Sequence, residues 1–215
     1  MIELNFLWTS FLETMYLLLV PMAFIVVIGF FLGLWLFNSS PSGMASNAQV
    51  YRVLSLLVNI FRSIPFIILV VIIIPLTRIL VGTMIGTKAA VPALIITGTP
   101  FFARVVENAL REVEPGLIEA GLAMGASKTQ VLFMIIVKEA APSLVNAITL
   151  TTVALIGYTA MAGTVGGGGL GYGAVRYGLY LGNMPLAYLW TGIILLIVFI
   201  IQKTGDFISK KINRK

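Results

Sequence analysis

Two short glycine-containing segments hold residues that could bind phosphate. Gly125-Ala-Ser-Lys-Thr129 brings a glycine, a lysine and a threonine together, as nucleotide-binding loops do. A P-loop, however, needs a second glycine directly before the lysine to cradle the phosphate, and Ser127 stands there. Gly166-Gly-Gly-Gly-Leu-Gly171 follows an apolar run rather than a soluble strand, so it is a poor dinucleotide fingerprint. We expect no nucleotide on this chain. We interpret the second segment as irregular backbone on the outer face that lines a cavity or caps the fourth apolar helix.

The sequence contains few residues that could catalyse a reaction or bind a metal ion. It contains no histidine and no cysteine. Imidazole and thiolate metal sites, cysteine nucleophiles and disulfides are therefore excluded. A membrane-embedded enzyme would need paired carboxylates or a serine–lysine pair at membrane depth, and no apolar run holds a carboxylate. We predict no catalytic residue and no metal ligand.

The composition indicates whether water or lipid surrounds the folded chain. Of its residues, 59% are hydrophobic and 10% are charged, with a mean hydropathy of +1.04. Such a chain cannot cover itself with a water-compatible surface, so we predict an integral membrane protein. The net charge of +6 comes from basic residues that flank apolar runs and gather in the C-terminal tail. That placement indicates contacts with lipid headgroups rather than with nucleic acid. The acidic, lysine-free N-terminus does not resemble a cleaved signal peptide.

Apolar runs long enough to cross a bilayer predict an all-α fold with five spans in one domain. The predicted spans cover residues 15–37, 54–76, 89–106, 144–165 and 184–201, after an N-terminal segment (1–10), within a membrane domain (11–203) and before a basic tail (204–215). The third run is the weakest because it contains Pro92 and Pro100. Five spans with the N-terminus outside place most basic residues in the cytosol, and so do four spans with a cytosolic N-terminus. Charge alone does not decide between them, and we prefer five.

The polar segment between the third and fourth runs, residues 107–142, is expected to be solvated. Glu114-Pro-Gly predicts a break before a helix over residues 117–138, whose first half is rich in small residues. Glycine disfavours a solvated helix, so Gly121 and Gly125 indicate either a partner that approaches closely or a loose helix at the lipid surface.

Glu119-Ala-Gly-Leu-Ala-Met-Gly125, followed by Ile135, resembles the EAA loop of ABC-importer permeases. That signature reads Glu-Ala-Ala, three residues, Gly, and later Ile and Leu-Pro. Here Gly121 replaces an alanine and Lys138 replaces the proline, so the helix break is expected at Pro142 instead. Four further segments resemble the methionine-uptake branch, so that the likeness covers about residues 10 to 208: Asn59–Leu69, Pro100–Leu110, Gly157–Gly163 and Gly205-Asp206.

The resemblance implies a permease subunit of an ATP-driven amino-acid importer in the cytoplasmic (inner) membrane, with N-terminus outside and C-terminus cytosolic. It implies four kinds of partner: a second copy of the chain, two ATP-binding subunits that carry ATP and Mg, an extracytoplasmic substrate-binding protein, and lipid. The expected cargo is methionine; the alternatives are another small amino acid, a betaine-like solute, or passive conduction. In that family the EAA loop forms short coupling helices that sit in a groove of the ATPase subunit. The resemblance implies that this contact is made here by Glu119, Ala120, Gly121 and Gly125.

Five residues are candidates for the transport path or its gate. Arg62, with Asn59 and Ser63 beside it, should not face lipid, because a central arginine costs about 2.5–3.5 kcal/mol there. It lies either near the cytosolic interface or along a water-filled path, and a role in binding a substrate carboxylate is the less favoured reading. Tyr158 and Met161 share one helix face. They fall in a segment that, by the resemblance, lies near the path.

Overall fold

The computed structural model describes residues 4–213, and these residues form helices joined by short turns, without a strand. The predicted all-α class is confirmed. The helices are α1 (Leu4–Ser39), α2 (Ala48–Ser63), α3 (Phe66–Ile72), α4 (Ile74–Val81), α5 (Thr87–Arg111), α6 (Pro115–Ala123), α7 (residues 128–139), α8 (Ala141–Thr164), α9 (Gly169–Val175) and α10 (Met184–Ile212). The middle of α7, Val131–Ile136, is π-helical, and a π-helical turn, Arg176–Tyr180, extends α9.

Within residues 4–213, four helices are long and apolar enough to cross a membrane: α1, α5, α8 and α10. The third apolar run, the weakest in the sequence, therefore forms one of the principal helices. Pro92 and Pro100 lie inside α5 and are both buried. Neighbouring helices that cover such prolines let a membrane helix tolerate them, which explains why α5 continues through both.

The second apolar run is not the single straight span predicted for residues 54–76. The helix begins earlier, at Ala48, where the Asn47 side chain accepts the Gln49 and Val50 N–H groups. It ends at Ser63, and α3 leaves at 99° to it. Pro65 causes the break, because proline disfavours helical geometry at the preceding residue, and Ile64 accordingly has an extended ψ of 120°. Counting this bent pair as one span gives five; otherwise there are four.

Two helices extend beyond the predicted spans. The first begins at Leu4 and takes in much of the predicted N-terminal segment. The last continues to Ile212, so most of the basic tail is part of α10. Arg214 and Lys215, the end of that tail, lie outside the described residues.

The core lies where α1, α5 and α8 meet. Leu17, Ile25, Leu94, Phe102 and Leu155 are at most 1% exposed there. Glycines on α1 allow the close approach: a Cβ added to Gly33 would lie 2.7 Å from the Val106 side chain of α5. The small-residue stripe of α1 therefore serves packing within the chain.

Candidate functional site

The segment that follows α5 forms a helical hairpin rather than one long helix. We call α6, the turn at residues 124–127 and α7 the coupling hairpin. The prediction of one continuous helix over residues 117–138 is therefore wrong, because the chain turns in the middle of this segment. Gly125 has a φ of +84°, and the Ala126 and Gly125 N–H groups bond back to the carbonyls of Gly121 and Leu122. This is a Schellman motif, which ends a helix at a left-handed glycine.

The second helix of the hairpin starts with a reciprocal cap. The Ser127 hydroxyl accepts the Gln130 N–H, and the Gln130 side chain accepts the Ser127 N–H. The Lys128 Nζ donates to the Met44 carbonyl at 2.7 Å, which ties the hairpin to the turn after α1. The exit from α7 comes at Ala140, with Pro142 in the first turn of α8, close to where the sequence predicted the break.

The two glycines of the hairpin have different roles. Gly121 is buried, and a Cβ there would lie 2.5 Å from Ile135 Cδ1 of α7. It therefore permits the close packing of α6 against α7 inside the hairpin. Gly125 is exposed, with no atom within 4 Å of an added Cβ, so this glycine is needed for its backbone conformation. Glu119 and Ala120 are exposed on the outside of α6.

A buried ion network lies at the end of α5 that leads into the hairpin. Glu107, expected in a solvated segment, is only 1% exposed. Its carboxylate accepts from Arg104 Nη1 at 2.6 Å and from Arg111 Nη2 at 2.7 Å. The three side chains meet because spacings of three and four residues lie on one helix face. The prediction of a solvated Glu107 was wrong because the third span was ended at Val106, whereas α5 continues to Arg111.

The same network joins α5 to α2. Arg104 Nη2 donates to Ser55 Oγ at 2.7 Å and to Asn59 Oδ1 at 3.1 Å. Arg111 Nη2 donates to the Tyr51 hydroxyl at 3.0 Å. Asn59, which the sequence placed with Arg62 as a pathway candidate, thus has a partner on α5. Sequence reasoning missed Arg104 as a bridging residue, although the Arg-x-x-Glu-x-x-x-Arg spacing could have signalled the network.

Beyond the end of α2, the break at Pro65 opens a cavity of about 380 Å³ between α2, α3, α5 and α8. Four of the five pathway candidates line it: Arg62, Ser63, Tyr158 and Met161. The ring of Tyr158 stacks on Phe66 with centroids 5.2 Å apart. The Arg62 guanidinium lies 5.9 Å from the centre of the Phe101 ring. We call this the Arg62 cavity.

The glycine-rich segment after α8 caps the end of that helix, the fourth predicted span, as one of the sequence interpretations proposed: the Gly166 and Gly167 N–H groups donate to the Gly163 and Ala162 carbonyls. Gly166, Gly168 and Gly169 all have positive φ. The Glu13 carboxylate accepts the Gly169 N–H at 2.7 Å, and the Thr14 hydroxyl accepts the Leu170 N–H at 2.8 Å. Side chains of α1 therefore satisfy the first free N–H groups of α9.

Residues 25–213 match the family model of the binding-protein-dependent transport system inner membrane component. The chain belongs to this family. It is 45% identical to the methionine import system permease protein MetP of Bacillus subtilis, over 100% of this chain and 96% of that protein. It is also 45% identical to the "Probable D-methionine transport system permease protein MetI" of Haemophilus influenzae, over 96% of this chain and 97% of that protein.

Solved structures agree with this membership. A chain of the MetNI methionine ABC transporter in an inward-facing conformation superposes with a TM-score of 0.95 at 44% identity, and each chain is fully covered. A chain of an amino acid ABC transporter with histidines gives a TM-score of 0.78 at 17% identity over 96% of this chain and 94% of that one, which shows the shared fold. The chain is therefore an inner-membrane transport permease with several apolar helices.

Within this permease, the sequence-predicted residues fall into two groups. Glu119, Ala120 and Gly125 lie on the outside of the coupling hairpin, while Gly121 lies inside it. The pathway candidates gather at the Arg62 cavity, except Asn59, which belongs to the ion network. The network lies between the two groups, because α5 leads into the hairpin and α2 ends at the cavity.

Proposed function

We propose that the chain is the membrane-spanning subunit of an ATP-driven methionine importer. The observation that carries the proposal is similarity along the whole chain to methionine permeases, at 45% identity to the Bacillus subtilis protein. The chain supplies no catalytic residue. ATP and Mg bind on two partner ATPase subunits, and two copies of the chain form the path between them.

The coupling hairpin is the surface on which an ATPase docks. Its tip is exposed: Met124 is 87% exposed, although it is a large apolar residue. Exposed apolar residues beside a carboxylate, here Glu119, suit a docking contact with a partner protein. A binding protein delivers the substrate from the outer side, where the N-terminus lies, and the C-terminal end of α10 lies in the cytosol.

Movement of the hairpin has a continuous route to the cavity. The hairpin follows directly from α5, α5 bonds to α2 through Arg104, and α2 ends at Arg62. ATP binding draws the two ATPases together, the hairpins follow, and the path changes the side to which it opens. ATP binding can drive this change because its free energy differs between the two states.

The cargo is tested by complementation. A strain without its own methionine uptake should grow on limiting methionine when the permease, its ATPase and its binding protein are supplied together. The matched control is the same system with an ATPase that cannot hydrolyse ATP, which should not restore growth. Growth on another amino acid or a betaine-like solute, with none on methionine, would contradict the assigned cargo.

Docking is tested at the tip of the hairpin by comparing Gly125→Trp with Gly125→Ala. Both variants place a side chain on a left-handed residue, so both carry the same backbone strain of about 1–2 kcal/mol. Only tryptophan adds bulk where the partner approaches, and overpacking costs about 1–3 kcal/mol. We expect ATPase association to be roughly fivefold to hundredfold weaker for tryptophan than for alanine. The measurement is co-purification of the ATPase, and a Gly125→Trp permease with full association and ATP-coupled uptake would contradict docking.

Orientation is tested with a side-sensitive reporter fused to each end of the chain. An outside N-terminus and a cytosolic C-terminus require that the bent pair α2–α3 crosses as one span. Both ends in the cytosol would instead select four crossings, with the bent pair returning to the side from which it entered.

A further inference from the structure

The Arg62 cavity contains a cation without an anionic partner. Within residues 4–213, the arginines of the ion network are paired with Glu107, whereas Arg62 has neither an ion pair nor a hydrogen bond. Its neighbour is the face of Phe101. A guanidinium presents five donors in a planar fork that matches a carboxylate, and those donors remain available in this cavity.

The rest of the lining is apolar and aromatic. The stacked Phe66 and Tyr158 rings form one wall, and Ile67 and the Met161 thioether complete it. Aromatic rings make favourable contacts with thioethers and aliphatic groups. The cavity thus combines an unpaired cation with an apolar wall, which are the two features that a carboxylate-bearing amino acid with an apolar side chain requires.

We propose that the Arg62 cavity binds the transported amino acid in transit, with the Arg62 guanidinium on its α-carboxylate and its side chain against Phe66 and Tyr158. This inference rests on the proposed function, and it names the group of the substrate that the permease itself recognises. The cavity therefore selects for a free carboxylate, independently of the binding protein.

The absence of cysteine allows a direct test by thiol labelling. Ile67→Cys places one reactive group in the cavity of the permease–ATPase complex, reconstituted in lipid nanodiscs without binding protein. Methionine should slow labelling of this cysteine, and methioninamide, which has a carboxamide in place of the carboxylate, should need at least about tenfold higher concentration. Lys211→Cys, at the exposed end of α10, is the matched control and should label at a rate that neither compound changes.

Variants of Arg62 separate recognition from folding. In the Ile67→Cys background, Arg62→Gln should weaken protection by methionine about tenfold or more, and Arg62→Lys should recover part of it. Thermal unfolding of each variant shows that the loss of protection is not a loss of the folded state. Equal protection by methionine and methioninamide, or unchanged protection in Arg62→Gln, would overturn the site.

Uptake by the complete system distinguishes failure of the site from failure of the proposed function. Methionine uptake without protection of Ile67→Cys would overturn the site and leave the function intact. Uptake and protection by a different amino acid, lost in its amide, would support the site and overturn the methionine assignment.

Discussion

Two arginines near the junction of α2 and α5 differ in how their charges are satisfied. Arg104 has a side chain that is 15% exposed, and it donates to Glu107, Ser55 and Asn59. Arg62, on the last turn of α2, is exposed, and its guanidinium lies 5.9 Å from the centre of the Phe101 ring, with no side-chain hydrogen bond or ion pair to the described residues. They lie on adjoining helices of one apolar protein.

The difference separates a structural charge from a charge kept for a ligand. A buried ion is stable only when it is paired and fully hydrogen-bonded, and the Arg104 network meets that condition with partners on two helices. An arginine that retains its donors can bind an anion that comes and goes. Substitutions in the network should therefore mainly lower the stability of the fold. Substitutions at the cavity should mainly impair transport.

The largest effect on stability is expected from Glu107→Ala. It removes the only carboxylate that bridges Arg104 and Arg111 among the described residues, and it leaves both cations unpaired. Breaking a buried pair in this way typically costs about 3–5 kcal/mol. Thermal or denaturant unfolding of the purified permease measures this loss of stability.

The matched control is Glu112→Ala, one turn later. Glu112 is exposed and accepts one hydrogen bond, from the Ser143 hydroxyl. We expect a loss below about 1 kcal/mol, as is usual at exposed positions. If the two variants unfold at the same temperature, the network is not structural.

A smaller effect is expected from Ser55→Ala, which removes one acceptor from Arg104 and leaves Asn59. Hydrogen bonds to charged groups contribute about 1.5–3 kcal/mol to stability. Because Asn59 remains as an acceptor, we expect the loss of stability to lie near the lower end of that range. Thr204→Ala is the control, since that exposed residue lies outside the cavity and its hydroxyl donates to the Ile200 carbonyl of its own helix. Unfolding measures stability, and the ratio of uptake to ATP hydrolysis should fall for Ser55→Ala alone if α2 and α5 move together.

Much of the fold could be predicted because apolar runs and prolines act locally. The runs predicted where the long helices lie, and the Schellman glycine and the capping box follow from residues within one turn of each other. The bend at Pro65 also had a local cause. It was missed because the hydropathy of the run continues on both sides of the proline and indicated one span.

The contacts that join separate helices could not be read from one sequence, because their partners are far apart in the chain. Ser55 and Arg104 are separated by 49 residues, and Glu13 and Gly169 by 156. Composition also gave a wrong environment for Glu107, since a charged residue beside other charges is usually solvated. The glycines of the hairpin show the same limit. Gly121 is needed for packing and Gly125 for its backbone conformation, and the residue type alone does not distinguish these two roles.

The smallest effect on stability is expected from Arg62→Gln, and it tests the comparison most directly. The variant leaves no described carboxylate unpaired and forfeits only a contact with the Phe101 ring, which is worth about 0.5–1 kcal/mol at an exposed site. Arg104→Gln is the matched variant. It removes one of the two cations on the buried Glu107 and should be several-fold more destabilising, because that carboxylate then depends on Arg111 alone. Unfolding of both purified variants, with ATP-driven uptake at equal protein, should show a stable but poorly transporting Arg62→Gln and an unstable Arg104→Gln. Equal loss of stability in the two would mean that Arg62 is held by partners in the same way as Arg104, and the distinction between the two charges would fail.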